Sequence, residues 1–518
     1  MQERIICSCA AGLTLCACAN RPAESQPNVV FILADDLGYG DLSSYNPQGR
    51  IRTPQLDRLA SQGVRFTNAH SSAAVSTPTR YGLLTGCYPW RGPLKQGVIW
   101  TWADPLLTDE LTLPELMRRK GYATGLVGKW HLGIGFATTD GAPVDRAANG
   151  ANVDYTQPLQ DGPTHHGFDY YYGDDVPNFP PYAFIENDRF PEIPDRPFEA
   201  GMPGVPGVMA KSWQPEKLLA TETRKAMEYI REHRDRPFFL MVSLTAPHTP
   251  IAPSAEFEGR SRAGRYGDFV EEIDHRVGEI LAALHDAGIE ERTLVVFSSD
   301  NGSSFQDGGT NDEERYGGRF GSILDMGHNP SGHFRGMKSD SWEGGHRIPF
   351  LLRWPGTIPE GIVTDALTCD LDLYATLADI SGATLPEGAA VDSRSLLPLL
   401  EGRQPVRTTA VAQSGNGVLS YFKGPWKLIA GSGSGGSLNP YGIPDRLPEY
   451  DKSSGSWHNV QLYNLESDPE ERYDMAARQP RLVQEMLEAL AGEVKKYGTA
   501  ADWEPVSWTS AFEGSVKH

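Results

Sequence analysis

Asn28-Val29-Val30-Phe31-Ile32-Leu33-Ala34-Asp35-Asp36-Leu37-Gly38-Tyr39-Gly40-Asp41 decides how this chain folds. From Asn28 to Ala34 the run is apolar almost throughout and shows no period-2 alternation. A short run of that kind reads as a strand buried on both faces, as in a parallel sheet covered by helices. It stops at Asp35 and Asp36, in glycine-rich backbone. Two buried carboxylates side by side repel and resist ionisation, so a bound cation is their natural partner. The stretch predicts both a sheet and a charged edge to it.

Working outward, the same texture recurs. Pro237 to Leu244 is a second buried strand, running into Ala246-Pro247-His248-Thr249-Pro250. Thr293 to Ser298 is a third, ending in Ser299-Asp300-Asn301-Gly302, where an acid and an amide again offer oxygen ligands. Tyr122 to Val127 is strand-like and ends in Gly128-Lys129-Trp130-His131-Leu132-Gly133. Lys129 and His131 alternate with Trp130, so both are expected on one side of the strand end. Short strands are expected near Val64 to Thr67 and Phe350 to Arg353. Helices are expected over Thr53 to Gly63, Leu111 to Gly121, Pro215 to Arg234, Asp268 to Ala287, and within Asp365 to Gly382. Strands alternating with helices, with polar clusters at strand carboxyl ends, predict an α/β protein. Its core is a large doubly wound mixed sheet flanked by helices, a fold that binds ligands along that edge.

Ser76-Thr77-Pro78-Thr79-Arg80-Tyr81-Gly82-Leu83-Leu84-Thr85-Gly86 reads as a helix with Ser76 as N-cap, Pro78 in its first turn and Gly86 as its stop. Ser76 and Arg80 then share one face near the positive end of the dipole. An oxygen nucleophile, a fixed cation and a helix dipole suit an anionic tetrahedral group, although a capped helix with a surface arginine fits the same letters. Gly332 to Pro349 supplies another cation-bearing loop, with Lys338 in it. Phe136 to Trp213 has no sustained period and reads as insertions around a site. Its aromatics, with Trp100, Trp102, His165 and His166, are where sugar contacts would be sought, packing being the alternative.

The 518 residues exceed what one simple core fills, and 39% hydrophobic with 22% charged content is that of a globular protein. A net charge of −20 argues against nucleic acid or an anionic membrane surface as partner. An anionic substrate would require the site to gather its own cations. Arg4 followed by the apolar run Ile5 to Cys18 has signal-peptide length, so residues 1–19 read as a leader and predict bacterial export. Leu15-Cys16-Ala17-Cys18 is similar to a lipobox. That similarity makes a periplasmic or outer-membrane lipoprotein anchored at Cys18, with ordinary cleavage near Ala19 as the alternative. Four of the six cysteines lie in this leader, and whether Cys87 and Cys369 pair is open. The main domain is expected over 26–402. A smaller C-terminal α+β subdomain is expected over 403–518, with short strands from Thr408 to Ala430, a turn at Leu462 to Glu471 and a helix from Pro480 to Lys496.

In order, Asp35-Asp36, Ser76-x-Pro78-x-Arg80 with Thr85-Gly86, Gly128-Lys129-Trp130-His131, Pro247-His248, Asp300-Asn301-Gly302, and Lys338 with Glu343-Gly344-Gly345 form a pattern. It resembles the type I, formylglycine-dependent sulfatases of the alkaline-phosphatase-like superfamily. The resemblance implies a sulfuric ester hydrolase in which Ser76 is converted to Cα-formylglycine (3-oxoalanine), whose hydrate attacks sulfur. It implies one Ca²⁺, or less readily Mg²⁺, held by Asp35, Asp36, Asp300, Asn301 and the residue at 76. It gives Arg80 the positioning of the nucleophile and gives Lys129 and Lys338 the sulfate oxygens. His131 would accept the proton as sulfate leaves, and His248 would protonate the leaving alcohol. Serine at the nucleophile position resembles the bacterial class that depends on a serine-type maturating enzyme. The implied substrate is a sulfated polysaccharide or oligosaccharide. The alternatives are a phosphatase or phosphodiesterase of the same superfamily, and a non-catalytic lipoprotein that binds sulfated glycans with Ser76 unconverted.

Overall fold

The computed structural model describes residues 26–198, 201–309, 317–431, 433–436 and 460–498. The leader, including Cys18, lies outside them. Nine strands form the main sheet: β1 Asn28–Ala34, β2 Val64–Phe66, β3 Ala123–Gly128, β4 Tyr170–Gly173, β5 Ile185–Glu186, β6 Phe238–Ser243, β7 Thr293–Ser299, β8 Phe350–Arg353 and β9 Ile362–Thr364. Their order is β9-β2-β8-β7-β1-β6-β3-β4-β5. The run β7-β1-β6-β3-β4 is parallel, while β8 and β5 run against their neighbours. This is the mixed, doubly wound sheet expected.

The unbroken apolar run of β1 has a direct structural counterpart. Val29, Phe31 and Leu33 pack into one core, and Val30, Ile32 and Ala34 into another on the opposite face. The first face is covered by the helices Ser76–Thr85, Leu113–Arg119 and Asp372–Ser381. The second is covered by Pro54–Ser61, Leu218–His233 and Gly264–Asp286. Burial on both sides leaves no position on β1 where a polar side chain could reach water, hence no alternation. Polar residues are postponed to the strand ends.

Three local expectations are corrected. Ser76 is not an N-cap: Val75 holds that position in extended geometry, and Ser76 is the first helical residue. Its hydroxyl is therefore free of the helix and turns inward, while Gly86 ends the helix at a left-handed φ of 67° as expected. Tyr170–Gly173, inside the segment read as aperiodic insertion, pairs with β3 and belongs to the main sheet. Gln461–Asn464, read as a turn, is a strand that pairs antiparallel with Trp426–Ile429. With Thr409–Gln413 and Leu419–Lys423 it completes a small four-stranded antiparallel sheet, which packs on the helix Pro480–Lys495. Cys87 and Cys369 are both free thiols. Among the described residues no helix is long and apolar enough to cross a membrane.

Ile32 is fully buried, with β6 and β7 on either side. Ile32→Ala should cost about 2–5 kcal/mol, read as a lowered denaturant midpoint, because a packed β1 cannot collapse onto the cavity.

Candidate active site

Four adjacent parallel strands deliver their carboxyl ends to one place. β1 ends at Asp35-Asp36, β7 at Asp300-Asn301, β6 runs on to His248, and β3 ends at Lys129. Asp35 lies at the centre and is fully buried. Its Oδ2 is 2.6 Å from Lys129 Nζ, and its Oδ1 accepts from the Ser76 hydroxyl at 3.2 Å. Burial alone would raise this carboxyl, but Lys129, His248 and Arg80 outweigh it and hold the group at about 2. Lys129 moves the other way: burial, helped by Arg80 and Lys338, lowers it against the pull of Asp35.

Arg80 fixes the relation between three strands. Its Nη1 donates to the Lys129 carbonyl at 3.2 Å and to Ser243 Oγ at 2.6 Å, and its Nη2 donates to Asp300 Oδ2 at 3.0 Å. Asp36 Oδ1 accepts from Asn301 Nδ2 at 2.8 Å and lies 2.6 Å from Lys338 Nζ. Asp36 raises the Lys338 ammonium despite its burial. Lys338 is brought in by close backbone stacking. A Cβ on Gly302 would lie 1.9 Å from the Gly344 carbonyl oxygen, so only glycine lets the loop holding Lys338 rest against Asn301.

The two histidines carry legible tautomers, because a carbonyl can only accept. His131 Nε2 lies 3.2 Å from the Ile99 carbonyl, so it bears the hydrogen, and Nδ1 is left as a buried lone pair without a partner. Burial, Lys129 and Arg80 keep this imidazole well below its ordinary value. His131 has a φ of 58°, so strand alternation does not extend to it. His248 Nδ1 lies 2.6 Å from the Thr249 carbonyl and so keeps its hydrogen, leaving Nε2, 3.9 Å from Asp36 Oδ2, as the exchangeable nitrogen. Burial lowers His248, against Asp35 and Asp36.

The site thus assembles Ser76, Arg80, Lys129, His131, His248, Lys338, Asp35, Asp36, Asp300 and Asn301. Ser76 Oγ, Asp35 Oδ1 and Asn301 Oδ1 converge, with the second oxygen–oxygen distance 3.4 Å. One hydroxyl proton cannot serve both contacts at once. With Asp36 and Asp300 beside them, these oxygens could hold a hard divalent cation such as Ca²⁺ or Mg²⁺, which prefers all-oxygen donors. Three carboxylates here face three fixed cations, Arg80, Lys129 and Lys338. A divalent ion would leave surplus positive charge for an anion. Ser243, at the end of β6, was legible by the same strand-end rule and was overlooked.

A second buried cluster, His70, Glu343 and His346, has metal-ligand composition. Its cation is an ammonium. Lys427, from the small antiparallel sheet, lies 2.9 Å from Glu343 Oε1, 2.7 Å from Glu471 Oε1 and 3.2 Å from His346 Nε2. Burial and Lys427 hold His346 down at about 3, a neutral imidazole whose Nε2 also lies 3.1 Å from the Ser341 carbonyl. Glu471 Oε2 also accepts from the Glu343 amide at 2.7 Å. Lys427 carries no signal in the sequence, because a lysine in a strand is ordinarily a solvated residue.

Such a sheet, with fixed cations and oxygen ligands buried together at its carboxyl edge, has the architecture of the alkaline-phosphatase-like superfamily. Residues 27–383 match the family model described as Sulfatase, and the chain belongs to the sulfatase family as a sulfuric ester hydrolase. It is 34% identical over 503 residues to an N-acetylgalactosamine-6-O-sulfatase of Bacteroides thetaiotaomicron, covering 91% of this chain and 94% of that protein. It is 32% identical over 445 residues to human steryl-sulfatase, covering 74% and 71%. A solved sulfatase structure from a Bacteroides thetaiotaomicron study of glycosaminoglycan metabolism superposes with a TM-score of 0.76 at 31% identity, covering 91% of this chain and 99% of that one.

Arg80→Lys keeps the charge but cannot span Ser243, the Lys129 carbonyl and Asp300 together. It should lower kcat by about 10²–10³ with the fold retained, checked by steady-state kinetics beside circular dichroism.

Proposed function

We propose that this sulfatase removes sulfate esters from a sulfated glycan of the glycosaminoglycan class, with Ser76 matured to Cα-formylglycine as the nucleophile. The observation that carries the reading is the convergence of Ser76 Oγ on Asp35 and Asn301, enclosed by Arg80, Lys129 and Lys338. The glycan assignment is supported by the Bacteroides thetaiotaomicron matches in sequence and in structure, which align with nine-tenths of this chain. The leader supports export to the periplasm or outer membrane, with Cys18 as lipid anchor. The serine supports maturation by a serine-type enzyme.

The residues divide the reaction between them. Lys129 and Lys338 hold the sulfate oxygens and oppose the charge that spreads over them in the transition state. Arg80, locked by Ser243 and Asp300, orients residue 76. A hydroxyl of the hydrated formylglycine passes its proton to the Asp35 carboxylate, the acceptor already on the residue-76 oxygen, and attacks sulfur as the bond from sulfur to the sugar oxygen breaks. His248 Nε2 gives its proton to that oxygen as it leaves. The second hydroxyl then loses its proton to His131 Nδ1, the unpartnered lone pair, and the resulting oxyanion expels sulfate and restores the aldehyde. Asp35, Asp36, Asp300 and Asn301 would hold Ca²⁺, which supplies positive charge at the nucleophile and at a sulfate oxygen.

Mass analysis of the peptide spanning Ser76, taken from the native host, should show the loss of two hydrogens. An unmodified serine in fully active enzyme would sink the formylglycine reading. His248→Ala should reduce turnover of sugar sulfates by about 10²–10⁴ and of activated aryl sulfates far less, because a phenolate leaves without a proton. Equal losses on the two substrates would remove the general-acid role.

A further inference from the structure

We propose that Trp100, Phe179 and Asp175 form the wall that recognises a sugar ring of the substrate. Trp100 supplies an apolar face, and the Asp175 carboxylate accepts from ring hydroxyls. This inference rests on the glycan reading above and deepens it.

Placement comes first. The Ile99 carbonyl bonds His131 Nε2 at 3.2 Å, and the Ile99 amide bonds Thr77 Oγ1, next to Ser76, at 3.3 Å. The peptide immediately before Trp100 is therefore clamped between two elements of the reaction centre. The Phe179 ring lies between the two landmarks. It meets the His131 ring edge-on at 6.1 Å and stacks on the Trp100 indole at 5.4 Å with an interplanar angle of 27°. Thr101 Oγ1, donating to the Pro180 carbonyl at 3.3 Å, ties the two loops together. The Trp100 indole is thus fixed within two ring contacts of a site imidazole.

Exposure comes second. Trp100 is 66% exposed, the highest value for a large apolar side chain among the described residues, while Phe179 behind it is buried. One face of the indole is backed by a ring and the rest is left to solvent at the rim of an anion site. Exposing an indole costs free energy that a stacked pyranose, with its apolar C–H face, would recover. No other described Phe, Tyr or Trp of these insertions is comparably exposed. Trp102 is buried, with its indole N–H on Asn149, and Tyr171, Tyr182 and Trp213 are core. His166 is buried against Asp161, and no contact ties the exposed His165 to the site.

Chemistry comes third. Asp175 Oδ1 accepts from the His131 amide at 3.0 Å, which fixes the carboxylate beside the reaction centre in the loop that also holds Phe179. The side chain keeps partial access to solvent, unlike its buried neighbour Asp174. Burial raises its carboxyl to about 7 against the His131 amide, Lys129 and Arg80, so above that pH it stands as an ionised acceptor. A carboxylate in a site otherwise selected for anions does not serve the sulfate. A neutral polyol, rich in hydroxyl donors, is what it suits. An aromatic face beside an acceptor for hydroxyls matches a sugar and would not be needed for a sterol or a simple aryl ester.

The test uses the matured full-length enzyme and defined sulfated glycosaminoglycan oligosaccharides. Trp100→Ala should raise KM about tenfold, with the loss falling on KM rather than kcat, and Trp100→Phe should recover most of it. Asp175→Asn keeps an acceptor for the His131 amide but removes the charge, and should raise KM about fivefold. Inhibition by free sulfate, which does not use the wall, should keep its constant within twofold in all three variants. An unchanged oligosaccharide KM in Trp100→Ala would overturn the wall. A matching shift in the sulfate constant would equally overturn it, because the substitution would then have disturbed the anion site. If the wild-type enzyme instead hydrolyses other sulfate esters and no sulfated oligosaccharide, the glycan reading itself fails, a separate outcome.

Discussion

A fully buried aspartate, Asp35, has to stay ionised, and much of the molecule follows from that. Charge withdrawn from water is tolerated only when other charges and donors surround it. Here Lys129, at the end of β3, and Ser76 and Arg80, one turn apart on a single helix, do so. The strand order β7-β1-β6-β3 brings those elements together. The helix that begins at Ser76 is held by the same charges, since Arg80 one turn later binds Ser243 and Asp300. Sheet topology and site electrostatics are therefore one constraint: a shift of any of the four strands would leave a buried carboxylate or guanidinium without its partner.

Much of this was legible in the letters. β1 could be read because burial on both faces removes alternation, and Asp35-Asp36 because paired acids at a buried strand end have no structural use. Lys129, His248 and Asp300 followed from the same strand-end logic combined with the family resemblance, and Arg80 from its place one helical turn after Ser76. What the letters withheld depended on distant pairing. Tyr170–Gly173 becomes a strand only because β3 offers it an edge. Gln461–Asn464 becomes one only because Trp426–Ile429 does. The helix boundary at Ser76 moved by one residue because its hydroxyl has better partners in Asp35 and Asn301 than in its own backbone. Lys427 was invisible because its meaning depends on two glutamates far away in sequence.

The two buried clusters solve related problems differently. Around Asp35 the carboxylates stay rich in oxygen ligands beside Arg80, Lys129 and Lys338, so a divalent cation held there would leave surplus positive charge for an anion. Around Glu343 every charge is already met from within the chain: Lys427 and Arg347 pair with the glutamate, and His70 and His346 are held neutral by burial. One cluster keeps ligand oxygens available and the other fastens the loop that carries Lys338 to the small antiparallel sheet.

That fastening has a consequence in time. Glu343 waits for a lysine 84 residues downstream and for a glutamate 128 residues downstream before its own surroundings close. At ribosomal rates of about 5–20 residues per second, the interval to Glu471 is roughly 6–25 s. Throughout it the loop bearing Lys338 lacks its final support, although the strands that present Ser76 are already synthesised. Ser76 is only 1% exposed once everything is in place. The loop that carries Lys338 is therefore completed by chain made well after Ser76, and the last strand of the small sheet is what closes its surroundings.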